Sequence, residues 1–488
     1  PDEAPAALRP RPADGWPEPA AHDPARGHPG LPGTVLWRHA LGTSEARPSH
    51  LSDEEPASVL PAAGEDCVYF HTTRFAWAVH RYTGKPVWKV RLNPDNGDDV
   101  CDPAPCAPTL DERRVYLRVG TEPGEADAFR RWDGPFGRLV ALDRRDGRQV
   151  WTHGSYLTTA AGERLDALTF DSAPLPFAGR LYVVVRRRPP RLRETVYAMC
   201  LSPDDGRVLW AVPLADEGSE STARSTCLPT AAAGTVYFPT GIGAVAALSG
   251  HDGRIKWLAT YDRPSPEPDD PVVGIRGGCR VLERPVLIGR RLVLLPAHGA
   301  ELLVLSAEDG RRIGAIAKTS LDNPRQLLGV YAGAAVLRGD AVTAVSLADG
   351  AVRWRRDPGV PTTGGAVLTG GRVVLSGRRG PVTLSAADGS VIDSPDTPGR
   401  RPEDWRPTDF AGHGETLAAT DGRTVVCLAD PDAVQRLLRR RADADPAGGR
   451  RARLLAAELS LAAGRTAPAA EGLLRLLDDR PPAPAAGD

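Results

Sequence analysis

The chain reads as an all-β protein: a closed eight-bladed β-propeller of four-stranded antiparallel blades, with a small α-helical appendage near its C-terminus. Three observations predict this. A motif of alanine, glycine and tryptophan at fixed spacing returns along most of the sequence. Each copy alternates like two short strands joined by a tight turn. The first and last copies are incomplete and complementary, as a ring closed by its own termini requires.

Four copies keep the full spacing: "AVHRYTGKPVW" ending at Trp88, "ALDRRDGRQVW" at Trp151, "ALSGHDGRIKW" at Trp257 and "AVSLADGAVRW" at Trp354. A fifth, "AMCLSPDDGRVLW", ends at Trp210 and reads as carrying two extra residues before its glycine. "VLSAEDGRRIG" and "TLSAADGSVID" keep the glycine but place Gly314 and Asp393 where tryptophan stands elsewhere. In each copy an apolar alternation such as "RLVALD" predicts a strand. The Asp-Gly or Thr-Gly pair predicts a turn in which glycine accepts positive φ, and "RQVW" predicts the returning strand.

Upstream of each hairpin lies another short strand, as in "GTVYFPT" at 234–240, "RRVYLRV" at 113–119 and "GRLYVVV" at 179–185. Before that comes an apolar segment with a proline seven positions ahead of the next strand's opening Val or Leu: Pro61, Pro108, Pro174, Pro229 and Pro285. Four strands make the unit, the content of one propeller blade. The hairpin glycines are Gly33, Gly84, Gly147, Gly206, Gly253, Gly310, Gly350 and Gly389, roughly 40 to 60 residues apart. The half-copy "GTVLW" at 33–37 has no partners before it, and the strands near 405–412, 415–420 and 424–430 have no outer strand after them. Joining the two completes the eighth blade and removes the exposed sheet edges that invite aggregation.

These residues resemble the quinoprotein (PQQ-like) repeat of eight-bladed propellers, and the lead-in from Trp16-Pro17 to "GTVLW" is similar to the segment preceding the first blade in bacterial proteins of that kind. The resemblance covers roughly residues 15 to 430. It implies that Trp37, Trp88, Trp151, Trp210, Trp257 and Trp354 are structural, each docking one blade on its neighbour. Blades five and seven, with Gly314 and Asp393, are expected to pack less well. The expected organisation is a largely irregular lead-in over 1–32, a propeller over 33–430, and a helical segment over 431–488.

That last segment has Leu and Ala at helical spacing and few β-branched residues. Leu454, Ala457, Leu461, Ala470, Leu474 and Pro482 match the spacing of a tetratricopeptide helix pair, with Glu458 in place of the usual glycine. A plain amphipathic hairpin is the other reading. One pair cannot bury its own faces, so it packs on the propeller or begins an array that this chain truncates.

The resemblance also raises a PQQ-dependent dehydrogenase using calcium, in which a disulfide between adjacent cysteines lies over the quinone. No two of the seven cysteines are adjacent. Cys106 and Cys227 hold the same place in blades two and four, so they are not expected to pair, and no calcium ligand or catalytic base is assigned. Cys101 and Cys106 are near enough in sequence for a local bridge. Asp95, Asp98, Asp99 and Asp102 lack the glutamate that closes an EF-hand loop. The arginine run 186–188, with Arg191 and Arg193, reads as a solvated cationic loop able to grip an acidic partner. "GIG" at 241–243 is a hairpin turn rather than a dinucleotide loop, and hydrolase motifs are absent.

With 61 Lys plus Arg against 62 Asp plus Glu, the formal charge is -1, which gives no broad electrostatic attraction to nucleic acid. No run approaches the roughly 18 apolar residues of a membrane span. A chain that opens on Pro1 and whose only methionine is Met199 is read as part of a longer product. The expectation is a monomeric, non-catalytic scaffold with no cofactor, for protein interaction or ligand sensing. The composition points to a bacterial source, and family habit to an extracytoplasmic location. The longest inserts, at 92–107, 120–137, 152–171, 211–226 and 258–278, mark where a partner is expected.

Overall fold

Chain order becomes blade order because consecutive strands pair antiparallel with their sequence neighbours. The structure is a computed structural model. It describes residues 34–42, 59–72, 74–92, 106–119, 138–154, 157–159, 162, 164–166, 168–187, 194–217, 226–262, 282–357, 365–377, 381–393, 407, 409–444, 449–462 and 465–478.

Blade 1 comprises Ala62–Ala63, Cys67–His71, Phe75–His80 and Pro86–Arg91 from the inner to the outer position. Blades 2 (109–153), 4 (230–260), 5 (286–317), 6 (326–356) and 7 (366–393) repeat the order. Blade 3 (168–217) has two short inner strands, Leu168–Phe170 and Leu175–Phe177, both paired with Arg180–Arg187. Blade 8 is built from both ends of the described chain: Thr34–Ala40 pairs with Thr424–Ala429, outside Thr416–Thr420 and Asp409–His413. The eight-bladed ring is therefore closed by its N-terminal strand.

The repeated residues have local reasons. Asp146, Asp205, Asp252, Asp309, Asp349 and Asp388 each precede a hairpin glycine, and each accepts the backbone N–H two residues on at 2.9–3.2 Å. That side-chain turn explains why aspartate recurs there. Opposite each of the six repeat tryptophans on the paired strand stands a small residue: Ala78, Ala141, Ala247 and Ala344, with Cys200 facing Trp210 and Cys427 facing Trp37. This corrects the reading of the fifth copy. Cys200 takes the alanine place, so "CLSPDDGRVLW" has the ordinary length and no insertion.

Antiparallel order gives the ring two unlike ends. The first-to-second and third-to-fourth connections share one end, where every turn is tight. The second-to-third connections and the crossings between blades share the other. There the chain passes through 93–105, 120–137, 188–193, 218–225 and 263–281, so the bulk of the predicted inserts lies outside the described residues.

Three helices follow blade 8: α1 (Pro431–Ala444), α2 (Gly449–Ala462) and α3 (Thr466–Asp478). They leave from the tight-turn end. Val434, Leu438, Ala442, Ala452 and Leu459 form one buried cluster with Tyr82 of blade 1 and Ala429 of blade 8, and Leu36 of the closing strand packs against it. The helical segment thus sits across the joint where the ring closes. Glu458 reaches Lys85 at 2.7 Å, which accounts for a side chain at that position. Among the residues with tetratricopeptide spacing, Ala457 is buried, while Leu454, Leu461, Ala470 and Leu474 are exposed; Pro482 lies outside the described residues. No described helix is long and apolar enough to cross a membrane.

Candidate binding face

The tight-turn end carries the predicted docking residues. Each indole N–H donates to a carbonyl in the next blade's turn: Trp37 to Arg81 at 2.6 Å, Trp88 to Arg144 at 2.9 Å, Trp151 to Pro203 at 2.9 Å, Trp210 to Gly250 at 3.3 Å, Trp257 to Ala307 at 3.0 Å and Trp354 to Ala386 at 3.1 Å. The ring lies so close to the turn glycine that a Cβ on Gly84, Gly147, Gly253, Gly310 or Gly389 would stand 2.5–2.8 Å from indole carbons. At Gly206 the nearest atom is Nε2 of His153, two residues beyond Trp151. Gly33 lies outside the described residues.

Where blade 5 has Gly314 in place of tryptophan, Ile316 two positions later sits 3.5 Å from a Cβ on Gly350. A strand returns the same face every second residue, so Ile316 reaches the turn from the next available position. Asp393 of blade 7 faces blade 8, whose third strand runs into α1 instead of a hairpin. No turn glycine is there to receive an indole.

The prolines mark a second contact nearer the axis. Thr109, directly after Pro108, donates through its hydroxyl to the Pro174 carbonyl of the next blade at 2.6 Å, and Thr230, after Pro229, donates to the Pro285 carbonyl at 2.5 Å.

At the opposite end a belt of buried polar groups runs around the axis beneath the undescribed inserts. It includes His71, Arg118, Asp171, Arg186, Glu194, Thr240 and Glu283. Its centre is Arg186. The guanidinium holds Asp171 in a two-pronged pair, Nε to Oδ1 at 2.8 Å and Nη2 to Oδ2 at 2.9 Å, while Nη1 donates to Glu194 at 2.9 Å. Nη2 also reaches the Thr240 carbonyl of blade 4 at 3.0 Å. Burial works against the charged form of Arg186, but Asp171, Cys227 and Glu194 outweigh it and hold its pKa well above the usual value. Asp171 directly follows the first inner strand of blade 3, and Glu194 opens the strand after 188–193, so one side chain ties the inner strand to the root of the 188–193 loop.

This differs from the sequence reading of the arginine run. Arg186 belongs to the strand Arg180–Arg187 and is buried; Arg188, Arg191 and Arg193 lie outside the described residues. The signal available in the sequence was position: Arg186 continues the alternation of "RLYVVVRR" and falls inside the strand rather than after it.

The described cysteines, Cys67, Cys106, Cys200, Cys227 and Cys427, are all buried. Burial pushes the Cys106 thiol up, away from the reactive thiolate. Cys106 accepts from the Ala173 N–H at 3.0 Å, and Cys227 lies 3.6 Å from Arg186 Nη2. The acidic loop with Asp95, Asp98, Asp99 and Asp102 lies outside the described residues, and among those described no three His, Cys, Asp or Glu side chains gather where a metal ion could be held. The described axial residues do not fit the quinone set: Asp171 and Glu194 are both committed to Arg186, and Glu283 accepts from the Ala297 N–H at 2.6 Å.

Histidine ionisation sets an acid limit on stability. At the tight-turn end the His413 ring is pushed down to about 4 by burial, then by Arg81, Arg441 and Arg144. Between about pH 6.5 and 4 the unfolded chain takes up a proton that folded His413 refuses, so stability falls as pH falls through that window, by roughly 3 kcal/mol at most. His413→Asn is expected to lessen the fall of the urea midpoint with pH over this range, with His71, His80 and His153, also pushed down by burial, supplying the rest. An unaltered profile would mean that another group governs it.

The fold and its repeats define a closed propeller of PQQ-type blades. Residues 29–188 and 135–346 match the family described as outer membrane protein assembly factor BamB, and together they span more than half of the chain. The chain belongs to that family. In structure it is similar to BamB from Moraxella catarrhalis, with 14% identity, a TM-score of 0.52, and coverage of 81% of this chain and 97% of that one. It is also similar to quinohemoprotein alcohol dehydrogenase from Comamonas testosteroni, with 14% identity, a TM-score of 0.54, and coverage of 85% and 80%. At such identities the likeness shows the fold alone. No curated protein matches the chain in sequence.

Proposed function

We propose that this chain is a non-catalytic propeller scaffold that holds a protein partner on its insert-bearing end. One observation carries the reading: at that end Arg186 pairs both Asp171 and Glu194, so these buried charges serve as a foundation for loops rather than as an open reaction centre. The family's description as an assembly factor supports a protein partner, and its reference to the outer membrane supports an extracytoplasmic location in a bacterial cell. In the same reading the six tryptophans and their partner glycines dock the blades. Residues 33–430 form the propeller unit, and the segment from 431 is a tetratricopeptide-like cap on the closing joint.

Site-specific photo-crosslinking tests the choice of end. A crosslinking side chain at Arg164 or Asp216, both exposed beside the inserts, is expected to give discrete protein adducts in the native cell. The same group at Asp252 or Glu308, exposed on tight turns, is expected to give none. Adducts confined to the tight-turn positions would reverse the assignment.

A further inference from the structure

Three arginines from three elements adjoin the turn at 64–66 on the tight-turn end, Arg144 and Arg441 through their guanidinium groups and Arg81 through its backbone. Arg144 Nη2 lies 3.2 Å from where a Cβ on Gly64 would stand. Arg441 of α1 is 3.3 Å from the Glu65 carboxylate. The Arg81 backbone N–H donates to the Asp66 carbonyl at 2.8 Å.

Arg441 thus has a carboxylate, whereas Arg81 and Arg144 bond only to neutral acceptors. Arg81 Nη1 donates to the His413 carbonyl at 3.4 Å and Nη2 to the Tyr82 hydroxyl, and its guanidinium carbon stands 4.6 Å from the Tyr82 ring centroid. Arg144 donates through Nε to the Tyr69 hydroxyl at 3.2 Å and through Nη1 to the Asp111 carbonyl at 2.5 Å. The Asp111 carboxylate is taken up by the Tyr116 hydroxyl and the N–H groups of Arg113 and Arg114.

Arg81 is 1% exposed, and its Nε has no acceptor among the described residues. Guanidinium stays charged at any physiological pH, and a desolvated cation without a counter-ion is costly. An orphaned N–H on such a group, with Arg144 and Arg441 at the adjoining turn, is a donor that an oxyanion satisfies. Burial first, and then the charges of Arg81, Arg441 and Arg144, keep the His413 ring neutral well below its ordinary range.

We infer that Arg81, flanked by Arg144 and Arg441, forms a binding site for a small oxyanion, a phosphate or a carboxylate, at the tight-turn end of the propeller. This site is independent of the partner-binding face.

The test is calorimetric titration of the intact protein with sodium phosphate and with sodium acetate, against sodium chloride at matched ionic strength, with thermal midpoints followed in parallel. A saturable response absent with chloride is expected, and Arg144→Gln should weaken it at least tenfold while leaving the circular dichroism unchanged. A response to phosphate alone assigns a phosphate ligand; a response to acetate as well assigns a carboxylate. If Arg81→Gln does not fold, Arg144→Gln and Arg441→Gln decide. No saturable response beyond chloride, or undiminished affinity in both of those variants, would overturn the site.

Discussion

Gly310→Ala is expected to destabilise the protein by about 3 kcal/mol or more, while Gly179→Ala should cost only about 1–2 kcal/mol. The two glycines share a backbone conformation, with φ of +73° and +72°, so the left-handed strain of adding a Cβ is the same. They differ in what the Cβ meets. At Gly179 nothing lies within 4 Å, whereas at Gly310 it would stand 2.5 Å from Cε3 of Trp257 in the preceding blade. Trp257→Ala should itself cost about 3–5 kcal/mol through lost burial and the cavity it leaves. In that background Gly310→Ala should fall back to the strain cost alone, because the atom it strikes is gone. Urea unfolding of the two single variants and the double variant reads the coupling directly. Strict additivity would remove the indole–turn contact from the account of how blades hold together.

Arg186→Met is expected to cost about 3–5 kcal/mol, because it strands two carboxylates in the interior. Asp171 and Glu194 have side chains only 2% and 7% exposed, and both pair with the Arg186 guanidinium. Adding Asp171→Asn and Glu194→Gln to Arg186→Met should recover much of the loss, since breaking a buried pair is worse than replacing it whole. The same logic sets the pH dependence of the single variant. Buried carboxylates deprived of that guanidinium take up protons more readily than with it in place, so the deficit against the parent should shrink as pH is lowered toward 5. A deficit that is constant with pH, or below about 1 kcal/mol, would show that the ion cluster does not organise the loop roots.

The strand pattern and ring closure were legible because they rest on local rules repeated eight times. Alternation marks each strand, Asp-Gly or Thr-Gly marks the outer hairpin of blades 1 to 7, and the unmatched "GTVLW" and "TVVCLAD" predict the closing pair that Trp37 and Cys427 form. Where two residue types satisfy one physical need, the reading slipped. Cys200 fills a place that asks only for a small side chain, and a search keyed on alanine counted two extra residues instead. Ile316 was missed because it serves its contact from a position two residues along the strand. The Arg186 cluster was hidden for another reason: Asp171, Arg186 and Glu194 meet only through the pairing of blade 3, and composition alone made the arginines look like a loop. The exposure of Leu454, Leu461 and Leu474 depends on which helix faces the propeller takes up, which spacing within the helices does not specify.

The measurement that bears most directly on the scaffold reading is titration of the intact protein with PQQ and calcium, following thermal midpoint and dye-linked oxidation of alcohols and sugars together. A cofactor bound to the native state raises its apparent stability by mass action, by about 2.7 kcal/mol at a hundredfold excess over Kd. A scaffold whose axial carboxylates are committed to Arg186 predicts no saturable rise in midpoint and no turnover. A saturable rise accompanied by turnover would contradict it and make the chain a quinone enzyme.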